Sequence, residues 1–361
     1  VVSITIPNQI YSWLRYLNMW RRNLKKKLDN RYSYLINKLP SDLNFETTTH
    51  CNLNCIYCGR EHLLKNGVVK PEHMSSSLIE KVIDEFAEIS REVVGDVSVC
   101  PVGLGEPLLD PNFFNTVSII RERIPGANIH ANTNGVLINE ENIQKIVSSE
   151  LDLLVISINV RSRDNYIALH KSDNFDLVCN NIVRLMNVVK NNGPKIVPQF
   201  LDIDLNKSCK ENIVSLRSTI LDPAHYGNNK TYHPVSSRIR QMMSTKELDK
   251  YMALLGNEDT KLLKKKHPCY SLFSGCAVDK DGYIYPCCMG YWCRHTSDIC
   301  LGNINDTSIR EVFEKKDGRL HELRQLHLQG RWDEIDACRT CTGGRTESSM
   351  NIFFKVGNRW I

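Results

Sequence analysis

An α/β fold is predicted, a partial barrel of parallel strands followed by a cysteine-rich module of β-hairpin and helix. Three observations carry this expectation. Strand-like apolar runs alternate with amphipathic helical patterns from Leu43 to about Pro223, the signature of parallel strands joined by helical crossovers. That alternation amounts to about five or six units, fewer than the eight that close a full barrel. The fourteen cysteines are clustered, with three between Cys51 and Cys58 and eight between Cys269 and Cys341. Finally, alternating apolar residues flank Asp281-Gly282, a hairpin-turn signal.

Taken in order, residues 1–40 read as a basic amphipathic helical segment. Ile10, Trp13, Leu14, Leu17, Leu24 and Leu28 recur on one face, and Arg15, Arg21, Arg22 and Lys25 to Lys27 crowd the rest. Such a helix either packs its apolar face on the barrel or lies in a membrane interface, so peripheral membrane contact through residues 10–28 is one expectation. The core follows over 41–225. Its strands are expected at 43–48, 97–103, 128–135, 151–159 and 195–204, with helices at 77–91, 112–123, 139–149, 175–191 and 209–220. Residues 226–266 form a polar linker, and 267–361 the cysteine-rich module.

Composition narrows the function classes. Hydrophobic residues at 42% and charged residues at 24% exclude a disordered scaffold or a collagen-like fibre. No run of eighteen uncharged apolar residues provides a spanning helix, and VVSITIPNQ lacks the secretory-signal pattern, so a cytoplasmic location is expected. A net charge of +5 predicts no nucleic-acid partner. Closely spaced cysteines in a long chain fit metal or iron–sulfur ligation better than a disulfide scaffold.

The first cluster reads His50-Cys51-Asn52-Leu53-Asn54-Cys55-Ile56-Tyr57-Cys58. Three thiolates in a C-x3-C-x2-C loop can hold three irons of a [4Fe–4S] cube and leave the fourth iron open to a ligand. A tetrahedral zinc site would need a fourth close Cys or His, and His50 is poorly directed to supply it. Three further motifs follow at strand ends: Gly103-Leu104-Gly105-Glu106-Pro107, Asn132-Thr133-Asn134-Gly135 and Ser157-Ile158-Asn159-Val160. Ligands of α/β sheets collect at those ends.

In this order the motifs resemble those of the radical SAM superfamily. The resemblance implies a partial (β/α)6 barrel in which Cys51, Cys55 and Cys58 hold a [4Fe–4S] cluster that binds S-adenosylmethionine (SAM). It implies SAM contacts from Leu104, Gly105 and Glu106, which match the family's G-G-E motif with leucine replacing its first glycine. Asn132 and Asn134 are implied as cofactor-binding residues, Ser157 and Asn159 at the ribose or carboxylate of SAM, and Tyr57 beside the adenine. Asn159 and Val160 stand where many relatives read D-G.

The second cluster spans Cys269, Cys276, Cys287, Cys288, Cys293, Cys300, Cys338 and Cys341. Hairpin cysteines plus a C-x2-C pair make a complete four-thiolate site, with a structural zinc as the alternative. Twelve residues separate Cys269 from Gly282, and four separate Gly282 from Cys287. That spacing is similar to the SPASM/Twitch extension of radical SAM enzymes. The similarity implies one auxiliary [4Fe–4S] cluster on Cys269, Cys287, Cys338 and Cys341, leaving Cys276, Cys288, Cys293 and Cys300 unassigned. Cys100, Cys179 and Cys209 are expected to be structural thiols.

The implied activity is reductive cleavage of SAM to a 5′-deoxyadenosyl radical that abstracts a substrate hydrogen, fed by a reductant such as flavodoxin or ferredoxin. No winged-helix-sized domain of the kind that grips a leader peptide is expected among the residues before the core, which favours oxidation of a sugar-like or aminocyclitol-like metabolite. Epimerisation of a similar substrate, peptide modification, and non-catalytic iron–sulfur or zinc binding are the alternatives. Gln199, Asp202, Asp204, His170, Lys171 and Arg161 are candidates to face substrate.

Overall fold

A computed structural model describes residues 30, 33–56, 58–160, 162–189, 193–200, 268–294, 297–339, 355–356 and 359–360. Residues 1–29 of the N-terminal helical segment, the 226–266 linker, the helix at 209–220, and Tyr57, Arg161, Asp202, Asp204, Cys209 and Cys341 lie outside the described residues.

The core alternates as expected. β1 (Asp42–Phe45) leads to α1 (Arg60–Lys65) and α2 (Ser76–Ser90). Then come β2 (Ser98–Cys100), α3 (Phe113–Arg123), β3 (Asn128–Thr133), α4 (Glu140–Ser148) and β4 (Leu153–Asn159). The remainder is α5 (Arg163–His170), α6 (Phe175–Val189) and β5 (Lys195–Phe200). Each of β1 to β4 pairs parallel with the next. α2 shows why the helices cover the sheet. The Ser75 hydroxyl accepts from Leu78 N–H at its start, and Ile79, Val82, Ile83, Phe86 and Ala87 form a buried stripe at helical spacing. Burying each large apolar side chain of that stripe contributes roughly 1.5–3 kcal/mol.

Two strand ends and one added helix, among the differences from the sequence expectation, have local reasons. β2 stops at Cys100 because Pro101 has no N–H to continue the ladder. β3 stops at Thr133 because the chain turns at Gly135, whose φ of +80° suits glycine. α5 has too weak an apolar stripe to be read from sequence; Ser162 caps it by accepting from Asn165 N–H at 3.3 Å.

The cysteine-rich module continues the same sheet. β6 (Gly275–Val278) runs parallel to β1, with Asp42 opposite Gly275 and Phe45 opposite Val278. β7 (Tyr283–Tyr285) pairs antiparallel with β6, making the expected hairpin, and β8 (Gly302–Asn303) extends it. The order is therefore β5-β4-β3-β2-β1-β6-β7-β8, so the two modules that the sequence divides share eight strands. A small β9–β10 ribbon (Lys355–Val356, Arg359–Trp360) stands apart from this sheet.

Two helices are the longest described in the second module. α7 (Ile309–Glu314) begins with a Ser308–Glu311 capping box, and its Ile309 N–H donates to Glu85 of α2 at 2.7 Å. α8 (Arg319–Leu328) carries the fully buried Arg324. Its guanidinium donates to the carbonyls of Ile36, Leu272 and Phe273 and lies against the Phe273 and Phe313 rings. Burial pushes its pKa down to about 9.

Candidate active site and cluster loops

The glycine-rich turn after β2 packs against the chain leaving β1. Leu104 N–H donates to Glu46 Oε1 at 3.0 Å, Gly105 N–H to Thr48 O at 3.1 Å, and Glu106 N–H to His50 O at 2.7 Å. The G-x-G-E backbone donors thus fix the strand that leads directly into Cys51. Both glycines are sterically required. A Cβ at Gly103 would meet Glu46 Cβ at 2.5 Å, and one at Gly105 would fall within 2.7 Å of His50 O. Leu104 is buried, and its amide already has an acceptor, so any ligand contact from it must use its carbonyl.

Glu106 is the central group. Its carboxylate accepts from Thr133 Oγ1 at 2.6 Å, Asn134 N–H at 2.8 Å and Leu108 N–H at 3.3 Å. All three are neutral donors, and burial pushes its pKa up to about 7. Asn134 also joins the second and third motifs to the cluster loop, since its Nδ2 donates to Asn52 Oδ1 at 2.7 Å. Asn132 and Ser157 are half-buried on β3 and β4. At the end of β4, Asn159 is buried with φ +68°, a left-handed conformation that asparagine tolerates well, just after a register shift.

Cys51, Cys55 and Cys58 are half-buried cysteines on one loop. Ile56 N–H donates to Leu169 O at 2.9 Å, which docks this loop on α5. His170, expected among the substrate-facing residues, is instead buried behind Cys55. Its Nε2 lies 3.0 Å from Ile158 O, and its Nδ1 lies 3.0 Å from Cys55 Sγ. A carbonyl can only accept, so Nε2 donates and the neutral ring turns a lone pair toward the thiol. Burial pulls the ring's pKa down to about 4.

In the second module Cys269, Cys287 and Cys338 are half-buried cysteines. His327 lies between two of them, its Nδ1 accepting from Cys269 N–H at 3.2 Å and its Nε2 lying 3.4 Å from Cys338 Sγ. Cys276 is fully enclosed on β6, and burial raises its thiol pKa far above the ordinary value, so it belongs to the core. Cys288 is exposed, and Cys293 and Cys300 are half-buried. Among the described residues, no three His, Cys, Asp or Glu side chains converge into a finished metal cage. The chain supplies donor sets, three thiols on one loop and three described thiols in the other module.

A buried ion pair joins the two modules. Arg294 donates to Glu46 at 2.9 and 3.3 Å and lies 3.4 Å from Asp279, which also accepts from Tyr285 OH at 2.8 Å. Burial opposes the charge on Arg294, but the two carboxylates overcome it and hold its pKa above the ordinary value. Glu46, Arg294 and His327 carried no sequence signal. Thr133 could have been found, since it stands beside Asn134 within a motif already singled out.

Comparison with known proteins agrees with this architecture. Residues 45–197 match the Radical SAM superfamily, and residues 269–342 match SPASM, an iron–sulfur cluster-binding domain. The chain belongs to the radical SAM superfamily and carries a C-terminal SPASM domain, an assignment that brings with it a [4Fe–4S] cluster, SAM and auxiliary cluster binding. An uncharacterized protein of Methanocaldococcus jannaschii, MJ0804, is 32% identical over 171 residues, 46% of this chain and 52% of that protein. The match thus spans about half that relative's length. Mycofactocin maturase MftC of Mycolicibacterium smegmatis is 22% identical over 325 residues, covering 84% of this chain and 78% of its own. Two solved structures share the fold. BtrN in complex with AdoMet and 2-DOIA has a TM-score of 0.52 at 16% identity, over 84% of this chain and 92% of that one. Streptococcus suis SuiB bound to precursor peptide SuiA has a TM-score of 0.50 at 15% identity, over 95% and 77%. Among the described residues no helix is long and apolar enough to cross a membrane.

Proposed function

We propose that this protein is a radical SAM maturase that oxidises a peptide substrate, with Cys51, Cys55 and Cys58 holding the SAM-binding cluster and Cys269, Cys287, Cys338 and Cys341 the auxiliary one. When bound, the first cluster supplies the electron that cleaves SAM to methionine and a 5′-deoxyadenosyl radical. The observation that carries the SAM part is Glu106, a buried carboxylate held by three neutral donors beside the cluster loop. A substrate ammonium group is the charge that such a carboxylate lacks. Thr133 and Asn134 orient the carboxylate, and Asn134 holds the same turn to Asn52 of the cluster loop. Leu104, Gly105 and Glu106 spend their amides on the β1 extension, and the Leu104 and Gly105 carbonyls would accept from an ammonium. The likeness to a maturase over most of both chains moves a peptide ahead of the sugar-like metabolite expected from sequence. A flavodoxin or ferredoxin is the proposed electron donor.

Glu106 gives a pH test. Its raised pKa means that the empty site is protonated below about 7, whereas a bound ammonium favours the ionised form. SAM affinity of the reconstituted protein should therefore fall about tenfold between pH 8 and pH 6 as the proton must be displaced. Equilibrium dialysis with radiolabelled SAM reads this directly, and Glu106→Gln should bind weakly without the slope. A parent profile as flat as that of the variant argues against Glu106 as the ammonium partner.

The substrate class is tested by anaerobic turnover with SAM and dithionite in deuterated water. One arm contains a pooled library of synthetic peptides, the other a panel of aminocyclitols and sugars. A peptide that loses two hydrogens without gaining deuterium at the reacting carbon supports the proposal. Turnover in the second arm alone replaces it with the small-metabolite reading, and deuterium at an inverted stereocentre establishes an epimerase.

A further inference from the structure

His327 stands outside the SAM-facing machinery. It is fully buried in α8. Its ring bridges two segments far apart in the chain, accepting from Cys269 N–H at 3.2 Å and reaching Cys338 Sγ at 3.4 Å. The tautomer follows from the first contact. A backbone amide only donates, so Nδ1 is the acceptor and the proton of the neutral ring sits on Nε2, facing the Cys338 sulfur. His170 is arranged the opposite way, with its N–H spent on the Ile158 carbonyl and a lone pair toward Cys55. Of these two buried imidazoles beside cluster-loop cysteines, His327 is the one built to donate to a thiolate.

We propose that His327 is a positioning residue of the auxiliary site. It holds the Cys269 backbone in register with Cys338 and gives the Cys338 thiolate an N–H···S hydrogen bond that makes a cluster held there easier to reduce. Reduction adds negative charge to the cluster and its sulfurs, and a fixed donor stabilises the more negative state. This inference rests on the reading of Cys269 and Cys338 as ligands.

The test uses the full chain with Cys51, Cys55 and Cys58 changed to alanine, so that only the auxiliary cluster contributes. Its reduction potential is measured by redox titration followed by electron paramagnetic resonance, with iron content determined in parallel. His327→Leu removes both hydrogen bonds. His327→Gln keeps them, because its amide oxygen can accept from Cys269 N–H while its amide nitrogen donates to Cys338. In His327→Leu the reduced-to-oxidised ratio at a fixed potential should fall about tenfold, a shift of about 59 mV for one electron, while His327→Gln stays near the parent. Loss of iron from His327→Leu, with His327→Gln loaded and at parent potential, also supports the role. A fully loaded His327→Leu at the parent potential overturns it, as do equal shifts in both variants. If the starting variant takes up zinc or no iron, the ligand reading fails first, before His327 is altered, and the inference falls with it.

Discussion

Replacing Cys51, Cys55 and Cys58 together with alanine should abolish 5′-deoxyadenosine formation while leaving the second module loaded. The three thiols share one loop whose ends are held independently of any metal. Glu106 N–H donates to His50 O just before Cys51, and Ile56 N–H donates to Leu169 O between Cys55 and Cys58. Removing three sulfurs therefore takes away ligands without removing the contacts that hold the loop on the barrel. Iron content checks the interpretation. The parent should reconstitute to about eight irons per chain and the triple variant to about four, the difference being one cube. Anaerobic reconstitution, iron and sulfide assay, and chromatography of the SAM products are sufficient. A triple variant that cleaves SAM at the parent rate would show that the chemistry lies elsewhere. Tight zinc with only one iron cube in the parent would make the second module a structural metal site.

How much of this could be read from the sequence follows from the range of the interactions involved. The cysteine loop, the glycine-rich turn and the Asp281-Gly282 hairpin are local, so spacing and turn chemistry reveal them. The α/β alternation was legible because α2, α4 and α6 present apolar stripes at helical period. Long-range pairing left no such trace. Nothing in the Gly275–Val278 segment says that it will lie parallel to β1, more than two hundred residues earlier, because a short fully buried strand has no distinctive period. His170 illustrates the same limit. Its composition suggested a polar residue near the substrate, whereas α5 turns it inward between Cys55 and the Ile158 carbonyl. The glycine-rich turn was found for a partly different reason from the one the structure gives. The motif implies SAM contacts from this turn, whereas Gly103 and Gly105 are needed because Glu46, Thr48 and His50 pack where a side chain would stand.

Arg294→Met should be among the most destabilising single substitutions in the protein, and it should weaken SAM binding from a distance. Arg294 and Glu46 are both buried, and they join the cysteine-rich module to the end of β1. Taking away the guanidinium leaves Glu46 and Asp279 as neighbouring enclosed carboxylates without their shared cation. Breaking a buried pair from one side costs about 3–5 kcal/mol, a large part of the roughly 5–15 kcal/mol that holds a typical domain together. Glu46 also accepts from Leu104 N–H, so a carboxylate that shifts or takes up a proton disturbs the turn carrying Gly105 and Glu106. Adding Glu46→Gln to the methionine variant removes one stranded charge while keeping an oxygen for Leu104 N–H. The double variant should therefore recover much of the lost stability and of the SAM affinity. Anaerobic urea unfolding midpoints and SAM dialysis on the reconstituted parent, single and double variants separate the possibilities. A single variant within about 1 kcal/mol of the parent would reduce the pair to the weight of an exposed salt bridge. A double variant less stable than Arg294→Met would mean that Glu46 matters through its own packing against Gly103 rather than through the charge it shares with Arg294.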